Sequence, residues 1–387
     1  MSLAIPADNL WAFAAVWLAL ATGAAFLSRR IGLAAALVEI LLGVLAGNLI
    51  GLRSNAWVDF IAGFGSIMLT FLAGAEIEPS VLRRQLRPAA VIGAISFGAP
   101  FLAAMAYALF VAHWTWDASK IAGVAMSTTS VAVVYAVMVE SRLAGSDFGQ
   151  LILAACFITD LGTVVALGLL FANYNGWLAA LVIAIVLAIV FVPKILPAVF
   201  SRTERWVSEP GLRLLFLIIL TLSAIATAAK SEGVLPAYFL GLACAGFLFA
   251  NPVIARRLRS MTMGFLTPFY FLKAGTLVSF AAAVGGIGAI AAFFLVKVIA
   301  KCVGVFPATR LFRHTPKNAS YITLMMATGL TFGTISSLYG LTHHYIDQGQ
   351  YTTLVTVVIL TAVIPTIIAQ TFFHPAEFVD PEERGVP

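Results

Sequence analysis

Asp160 lies in the stretch ACFITDLGTVV (155–165), where only Thr159 and Thr163 among its neighbours carry polar side chains. In a membrane-spanning helix a carboxylate costs about 2.5–3.5 kcal/mol on insertion scales. The usual reasons to keep one are an ion pathway, a proton relay or a counter-ion. Two lysines, Lys297 and Lys301, stand four residues apart in another apolar run and so share a helix face. Hydroxyls cluster twice: Ser127, Thr128, Thr129 and Ser130 in GVAMSTTSVAVV, and Thr328, Thr331 and Thr334 with Gly329 and Gly333 in MATGLTFGTISS. One carboxylate with hydroxyls and released backbone carbonyls is a hard-oxygen ligand set that suits a dehydrated monovalent cation. The same carboxylate can carry a proton instead. If it holds one or the other, and the site opens to either side only when loaded, the outcome is antiport from a single acid. Protons then weaken cation binding as much as the cation weakens proton binding.

The elements that must position these groups are membrane helices. The chain has 387 residues, of which 61% are hydrophobic and 10% charged, with a mean hydropathy of +1.01. A helix needs about 20 apolar residues to cross a bilayer. Thirteen candidate spans are read at 9–28, 31–52, 57–78, 89–112, 118–140, 148–172, 176–200, 211–233, 236–251, 265–279, 282–310, 316–341 and 351–373, the ninth and tenth being short. Runs such as LAALVIAIVLAIVFV lack the alternation of barrel strands, so the expected fold is an all-α polytopic membrane protein.

The net charge of +6 does not argue for a nucleic-acid partner. With the N-terminus outside and the C-terminus inside, 17 of the lysines and arginines fall on the inner face, among them Arg29, Arg83, Arg202, Arg256 and Arg313. Only Arg53, Lys120 and Lys230 fall on the outer face, as the positive-inside rule requires. The start MSLAIPADNLWAF has no basic n-region, so the first span is expected to stay rather than be cleaved. Cys156, Cys244 and Cys302 have no metal-ligand spacing and are expected to be small buried hydrophobes. No G-x-G-x-x-G nucleotide loop occurs, and the tail HPAEFVDPEERGVP reads as a short solvated end.

Intramembrane polar residues concentrate in spans 5, 6, 11 and 12. Spans 4–6 start inside and spans 11–13 start outside, which is the footprint of an inverted-topology repeat, although the two triplets share no obvious identity. The hydroxyl stretch of span 5 lies about 15 Å from its outer end, that of span 12 at a similar depth, and Asp160 about 18 Å from the inner end. Two polar mid-helix stretches at corresponding positions point to discontinuous helices. The alternative is hydroxyls bonding back to carbonyls one turn earlier, or across helices. Lys301 and Lys297, about 15 and 21 Å from the inner end, bracket the depth of Asp160. Either could partner it while the other lines a cavity or snorkels.

In this order, STTSVAVVYAVMVE, the ITD of Thr159 and Asp160, VLPAYFLGLACAGFLFAN, PFYFLKAG and KCVGVFPA resemble the monovalent cation:proton antiporter superfamily. That superfamily comprises bacterial NapA-type sodium/proton exchangers and their Kef-type relatives, and the resemblance runs from span 1 to span 13. It implies a homodimer in a cell (inner) membrane, serving pH homeostasis. It implies a scaffold domain over 1–85 and 211–280, and a core domain over 86–175 and 281–375 that moves past it as an elevator. A linker helix covers 176–210, and 376–387 is a cytoplasmic tail. It also implies that broken spans 5 and 12 cross beside the ion-carrying aspartate, matched here by Asp160, and that Lys301 matches the lysine of span 11. Glu39 and Glu76 match recurrent acids whose role is open, either guiding cations or bonding a neighbouring helix.

Two departures matter. Electrogenic members of that superfamily carry an acid before the aspartate, where this chain has Thr159, and several relatives carry an arginine and a glutamate in span 12, where this chain reads ATGLTFGT. The expected exchange is therefore one proton per cation, with Asp160 alone carrying the exchanged charge and Thr159 offering a neutral ligand. Lys273, in PFYFLKAGTL, is expected to pair with Glu39 or Glu76, to gate access or to bind lipid headgroups. His343 and His344 are read as solvated, with external pH sensing as the alternative. An intramembrane aspartyl protease would need two buried aspartates, and a channel would need repeated carbonyl or acidic rings. The nearer rival is a sodium-coupled organic-solute symporter of the same architecture, which would need a larger polar cavity. The expected cargo is sodium, or next potassium, against protons, with no cofactor and membrane lipids as surroundings.

Overall fold

The computed structural model describes residues 10–31, 34–75, 79–141, 143, 146–171, 176–203, 206, 208–229 and 233–375. Glu76, Lys230 and the tail from 376 lie outside them. Among the described residues the regular structure is helical throughout. The helices are α1 (Leu10–Ile31), α2 (Ala35–Leu49), α3 (Ala56–Ala75), α4 (Pro79–Ala106), α5 (Trp116–Ser127), α6 (Val131–Glu140), α7 (Asp147–Leu170), α8 (Gly176–Thr203), α9 (Pro210–Ala228), α10 (Val234–Ala250), α11 (Pro252–Met261), α12 (Thr267–Thr276), α13 (Phe280–Gly285), α14 (Ile287–Leu311), α15 (Pro316–Ala327), α16 (Thr331–Thr342) and α17 (Gln348–Phe372). A wider π turn at Tyr107–Val111 prolongs α4, and another at Thr262–Leu266 leads from α11 into α12. Nine described helical stretches are long and apolar enough to cross a membrane, and Ala35–Leu49 and Val234–Ala250 are shorter apolar helices.

The chain groups into two compact units. One comprises Trp57–Arg83 and Val164–Tyr270. Its core gathers Met68, Phe71, Leu215, Leu240 and Cys244. Gly74 and Gly241 let the α3 and α10 backbones approach, since a Cβ on either would fall within 3.0 Å of the other helix. Small residues at such contacts are how membrane helices pack closely.

The other unit comprises Met1–Ala56, Arg84–Thr163 and Phe271–Pro387. Here α14 packs on α15 and α17, α5 on α16, and α15 and α16 on α17. The backbones of α2 and α12 meet through Gly43, Gly47 and Gly275. Inside this unit the chain repeats itself two hundred residues apart. Thr115 caps α5 at φ −60°, ψ 161°, and Thr315 caps α15 at φ −61°, ψ 157°; each side chain accepts from the backbone N–H three residues on. His113 and Arg313, both at positive φ (54° and 63°), precede them. Both helices run 12 residues and end in a threonine with extended backbone, Thr128 (φ −64°, ψ 151°) and Thr328 (φ −63°, ψ 133°). At this offset identities do appear, in Thr115/Thr315, Met126/Met326, Thr128/Thr328, Asp147/Asp347, Gly149/Gly349 and Gln150/Gln350. Half of them are caps or flank them, which fix backbone direction. The apolar positions between are interchangeable and have drifted apart.

One cysteine departs from expectation. Cys156 and Cys244 are buried, but Cys302 is exposed. The inward stripe of α14 runs through Lys297, Lys301, Val305 and Ala308, which leaves Cys302 on the outward side with Ile299 and Val303.

Candidate functional site

The hydroxyl-rich stretches are where two helical runs stop. Between α5 and α6 the chain is non-helical at 128–130, and between α15 and α16 at 328–330. The two interruptions are joined directly. Ser130 N–H donates to the Thr328 carbonyl at 3.0 Å, the Thr129 hydroxyl donates to the Met326 carbonyl at 2.8 Å, and Ser130 Oγ lies 3.3 Å from Thr331 Oγ1. Each break frees carbonyls at a helix C-terminus and N–H groups at the next N-terminus. The back-bonding alternative holds at the same residues: Thr128 Oγ1 donates to the Ala125 carbonyl at 3.0 Å and Thr328 Oγ1 to the Met325 carbonyl at 2.8 Å. These hydroxyls keep lone pairs to offer.

The two lysines of α14 are both fully buried and are treated differently. Lys301 Nζ donates to Ser96 Oγ on α4 at 2.7 Å, to the Ser127 carbonyl at the end of α5 at 3.0 Å, and to Thr129 Oγ1 at 3.2 Å. An ammonium at a helix C-terminus is stabilised by the local negative end of the helix dipole. Lys297 Nζ has no hydrogen-bond partner. It rests at Gly329, where a Cβ would collide with it.

Asp160 reaches the same level along α7. Cys156, one turn earlier, meets Met326 with sulfurs 3.7 Å apart, and Met326 carries the carbonyl that Thr129 binds. Asp160 is 2% exposed and its Oδ1 has no hydrogen-bond partner. Lys301 makes no hydrogen bond or ion pair with it, although their charges act on each other through space. Buried polar atoms are nearly always satisfied, so an orphaned carboxylate oxygen and an orphaned ammonium call for a reason. Among the described residues no three of His, Cys, Asp and Glu come together, so the site offers a lone negative charge.

The structure thus brings together Asp160, Lys301, Lys297, Ser127, Thr128, Thr129, Ser130, Thr328, Gly329 and Thr331. Thr159 is turned aside, its hydroxyl shared between the Ala155 carbonyl at 3.0 Å and the Gly93 carbonyl on α4 at 3.3 Å. Glu39 is buried on α2; Glu76, the other acid expected to meet Lys273 on α12, lies outside the described residues. His343 and His344 are both exposed; the His343 ring lies 4.1 Å from that of Tyr339 and its Nδ1 3.1 Å from the Tyr339 carbonyl oxygen, and partial desolvation there holds its pKa below the ordinary imidazole value. Ser96 and Thr361 belong to the site and stand out in sequence only as lone hydroxyls within AISFGAP and VILTAVI.

Apolar helices of spanning length around a buried acid and two joined helix interruptions define an integral, multi-pass membrane protein of the ion-transporter type. The family model for sodium/hydrogen exchangers, transmembrane, matches residues 16–374, and the chain belongs to that family. It is 23% identical over 366 residues to a Na(+)/H(+) antiporter of Enterococcus hirae, a match covering 89% of this chain and 93% of that one. It is 25% identical over 270 residues to YjbQ of Bacillus subtilis, whose name marks it as a candidate Na(+)/H(+) antiporter; there it spans 44% of the relative's length and 64% of its own. Its fold is similar to that of the sodium proton antiporter MjNhaP1 from Methanocaldococcus jannaschii, with a TM-score of 0.68, 16% identity, and coverage of 92% of this chain and 95% of the other.

Proposed function

We propose that this protein is a secondary-active antiporter that exchanges a monovalent cation, sodium first and potassium next, for a proton at Asp160. The observation that carries this reading is the unpartnered Asp160 Oδ1, buried at the level of two helix interruptions lined by hydroxyl and carbonyl oxygens. A carboxylate without hydrogen bonds has an empty place for either a proton or a cation, and the two exclude each other by charge. Membership of the sodium/hydrogen exchanger family, and the Na(+)/H(+) antiporter names of relatives, support the same activity.

In the proposed arrangement thirteen spans run from an outer N-terminus to an inner C-terminus. The two-hundred-residue repeat forms the inverted halves, and its two broken helices cross at the middle of the membrane. A core built from 86–175 and 281–375 carries the ion past a scaffold of 1–85 and 211–280, with 176–210 as linker, in a homodimer of the cell (inner) membrane serving pH homeostasis. Thr159 replaces a second acid, so exchange is one for one.

The test is proton movement in proteoliposomes on adding sodium, potassium or lithium, with Asp160→Asn in parallel. Cation-dependent proton release that is absent from the variant supports the reading and ranks the ions. Release that persists unchanged in the variant removes Asp160 as carrier, and no response to any of the three ions removes the exchange itself.

A further inference from the structure

Lys297 is the charge that exchange at Asp160 leaves without a task. Its Nζ is buried with no hydrogen-bond partner, a condition that costs stability unless something offsets it. A Cβ at Gly329 would collide with that Nζ and stand 3.1 Å from Thr128 Oγ1 and 3.4 Å from Thr361 Oγ1. The ammonium therefore fills the gap that Gly329, with no side chain, leaves between the two interruptions. Both hydroxyls already donate, Thr128 to the Ala125 carbonyl and Thr361 to the Val358 carbonyl, each at 3.0 Å. What they present to the gap is lone pairs.

Among the described residues no counter-charge faces Lys297 from the helices packed around it, and α4, which also packs on α14, carries no acid. On α5, Asp117 near the helix start pairs with Lys120 at 2.6 Å. On α13 there is no titratable group, on α15 only Lys317 and Tyr321, on α16 only Tyr339, and on α17 only Tyr351, which donates to the Ala274 carbonyl at 2.7 Å. On α14 itself the other charges are Lys301 and, at the far end, Arg310. Asp160, on α7, is the acid that remains. The repeat also supplies a comparison within the same chain: the buried stripe of α4 passes through Ile92, Ser96, Pro100 and Ala104, all uncharged, where that of α14 passes through Lys297, Lys301 and Val305. Packing at these positions does not call for lysine.

We infer that Lys297 is a tethered internal cation: its ammonium takes the oxygen-lined gap at Gly329 that the transported ion must enter, and the ion loads only when Lys297 withdraws. An ammonium and a dehydrated alkali cation use the same ligands, namely hydroxyl and carbonyl oxygens with one carboxylate nearby. The inference rests on Asp160 as the carrier proposed above. Competition of this kind lowers apparent affinity by the fraction of time the gap is free; if that is one part in ten, removing the ammonium tightens half-saturation by about tenfold.

The experiment compares the full-length protein with Lys297→Met and Lys297→Arg in proteoliposomes, reading the sodium concentration for half-maximal proton movement at fixed pH. The expected result is a half-saturation about tenfold lower in Lys297→Met, while Lys297→Arg, which keeps the charge, stays within about twofold of the native value or rises. Sodium should also raise the thermal midpoint more in Lys297→Met than in the native protein, since a tighter ligand stabilises more at equal concentration. That second measurement needs only folded protein in detergent. An unchanged or raised half-saturation in Lys297→Met, or an equal sodium-induced shift, overturns the inference. Asp160→Asn separates the two readings. Exchange that survives in it defeats the carrier assignment whatever Lys297 does, whereas loss of exchange there with no effect of Lys297→Met defeats only the tethered cation.

Discussion

Replacing Ser96 by alanine asks whether Lys301 is anchored by hydrogen bonds or merely enclosed. The Lys301 ammonium has three N–H groups and three acceptors, at 2.7, 3.0 and 3.2 Å, and Ser96 Oγ is the nearest. Alanine keeps the Cβ and removes that acceptor, leaving one N–H of a fully buried ammonium unmet. A hydrogen bond to a charged group contributes about 1.5–3 kcal/mol, so the expected cost is about 2 kcal/mol. In a chain of this length that lowers the thermal midpoint by about 2–6 °C. The decisive form is a double-mutant cycle with Lys301→Met, followed by tryptophan fluorescence during thermal unfolding in detergent. In the methionine background the serine has no ammonium to accept from, and Ser96→Ala should then cost less than about 0.5 kcal/mol. A Ser96→Ala penalty of equal size in both backgrounds would refute the anchoring, because the coupling between the two residues would be zero.

Three further outcomes follow from the same geometry. Gly275→Ala places a Cβ within 3.0 Å of the α2 backbone at Ile40 and Val44 and should destabilise by about 1–3 kcal/mol, whereas Gly98→Ala, with nothing within 4 Å, should not; equal melting of the two variants would deny the close approach of α2 and α12. Partial desolvation holds the imidazoles of the half-buried His314 and the exposed His343 below their ordinary value, so the stability they contribute is complete above about pH 6.5 and is lost as pH falls through their lowered folded values. Replacing both by glutamine should flatten the fall of the thermal midpoint between about pH 7.5 and pH 5, and an unchanged pH profile would dismiss them. One-for-one exchange moves no net charge, whereas each charge moved would couple at about 2.3 kcal/mol per 100 mV; a flux in proteoliposomes that changes with an imposed potential would contradict it.

Composition and apolar run length make the helical membrane class legible, because burying backbone in lipid leaves few alternatives. Asp160 and the lysines were legible for the same reason: a charge in an apolar run is costly and therefore conspicuous. Ser96 was not, since a lone serine in a membrane helix is cheap and ordinarily bonds back to its own helix, and only the three-dimensional approach of α4 to α14 makes it an acceptor. Thr159 sits next to Asp160 in sequence, but adjacent helical residues point about 100° apart, and its hydroxyl serves the α4 contact instead. The repeat was hidden because its signal lies in caps and turns rather than in the apolar residues that dominate a membrane sequence.

That repeat separates what the fold requires from what the chemistry requires. The two interruptions are nearly alike in backbone, with Thr128 matching Thr328 and the caps Thr115 and Thr315 matching in dihedrals and bonding. The charges are not alike at all. Where the buried stripe of α14 carries Lys297 and Lys301, that of α4 carries only uncharged residues, among them Ser96 and Pro100; where α7 carries Asp160, α17 carries Leu360. For each charge the other half of the repeat shows that an uncharged side chain suffices, and burying a charge there instead costs folding free energy. These three ionisable groups, Asp160 in the first half and the two lysines in the second, are therefore held against the interest of stability. Of these, Lys301 recovers part of the cost through three hydrogen bonds. Asp160 Oδ1 and Lys297 Nζ have no such bonds, so theirs is the burial that stability leaves unexplained, and it is on these two groups that the proposed exchange and the proposed competition act.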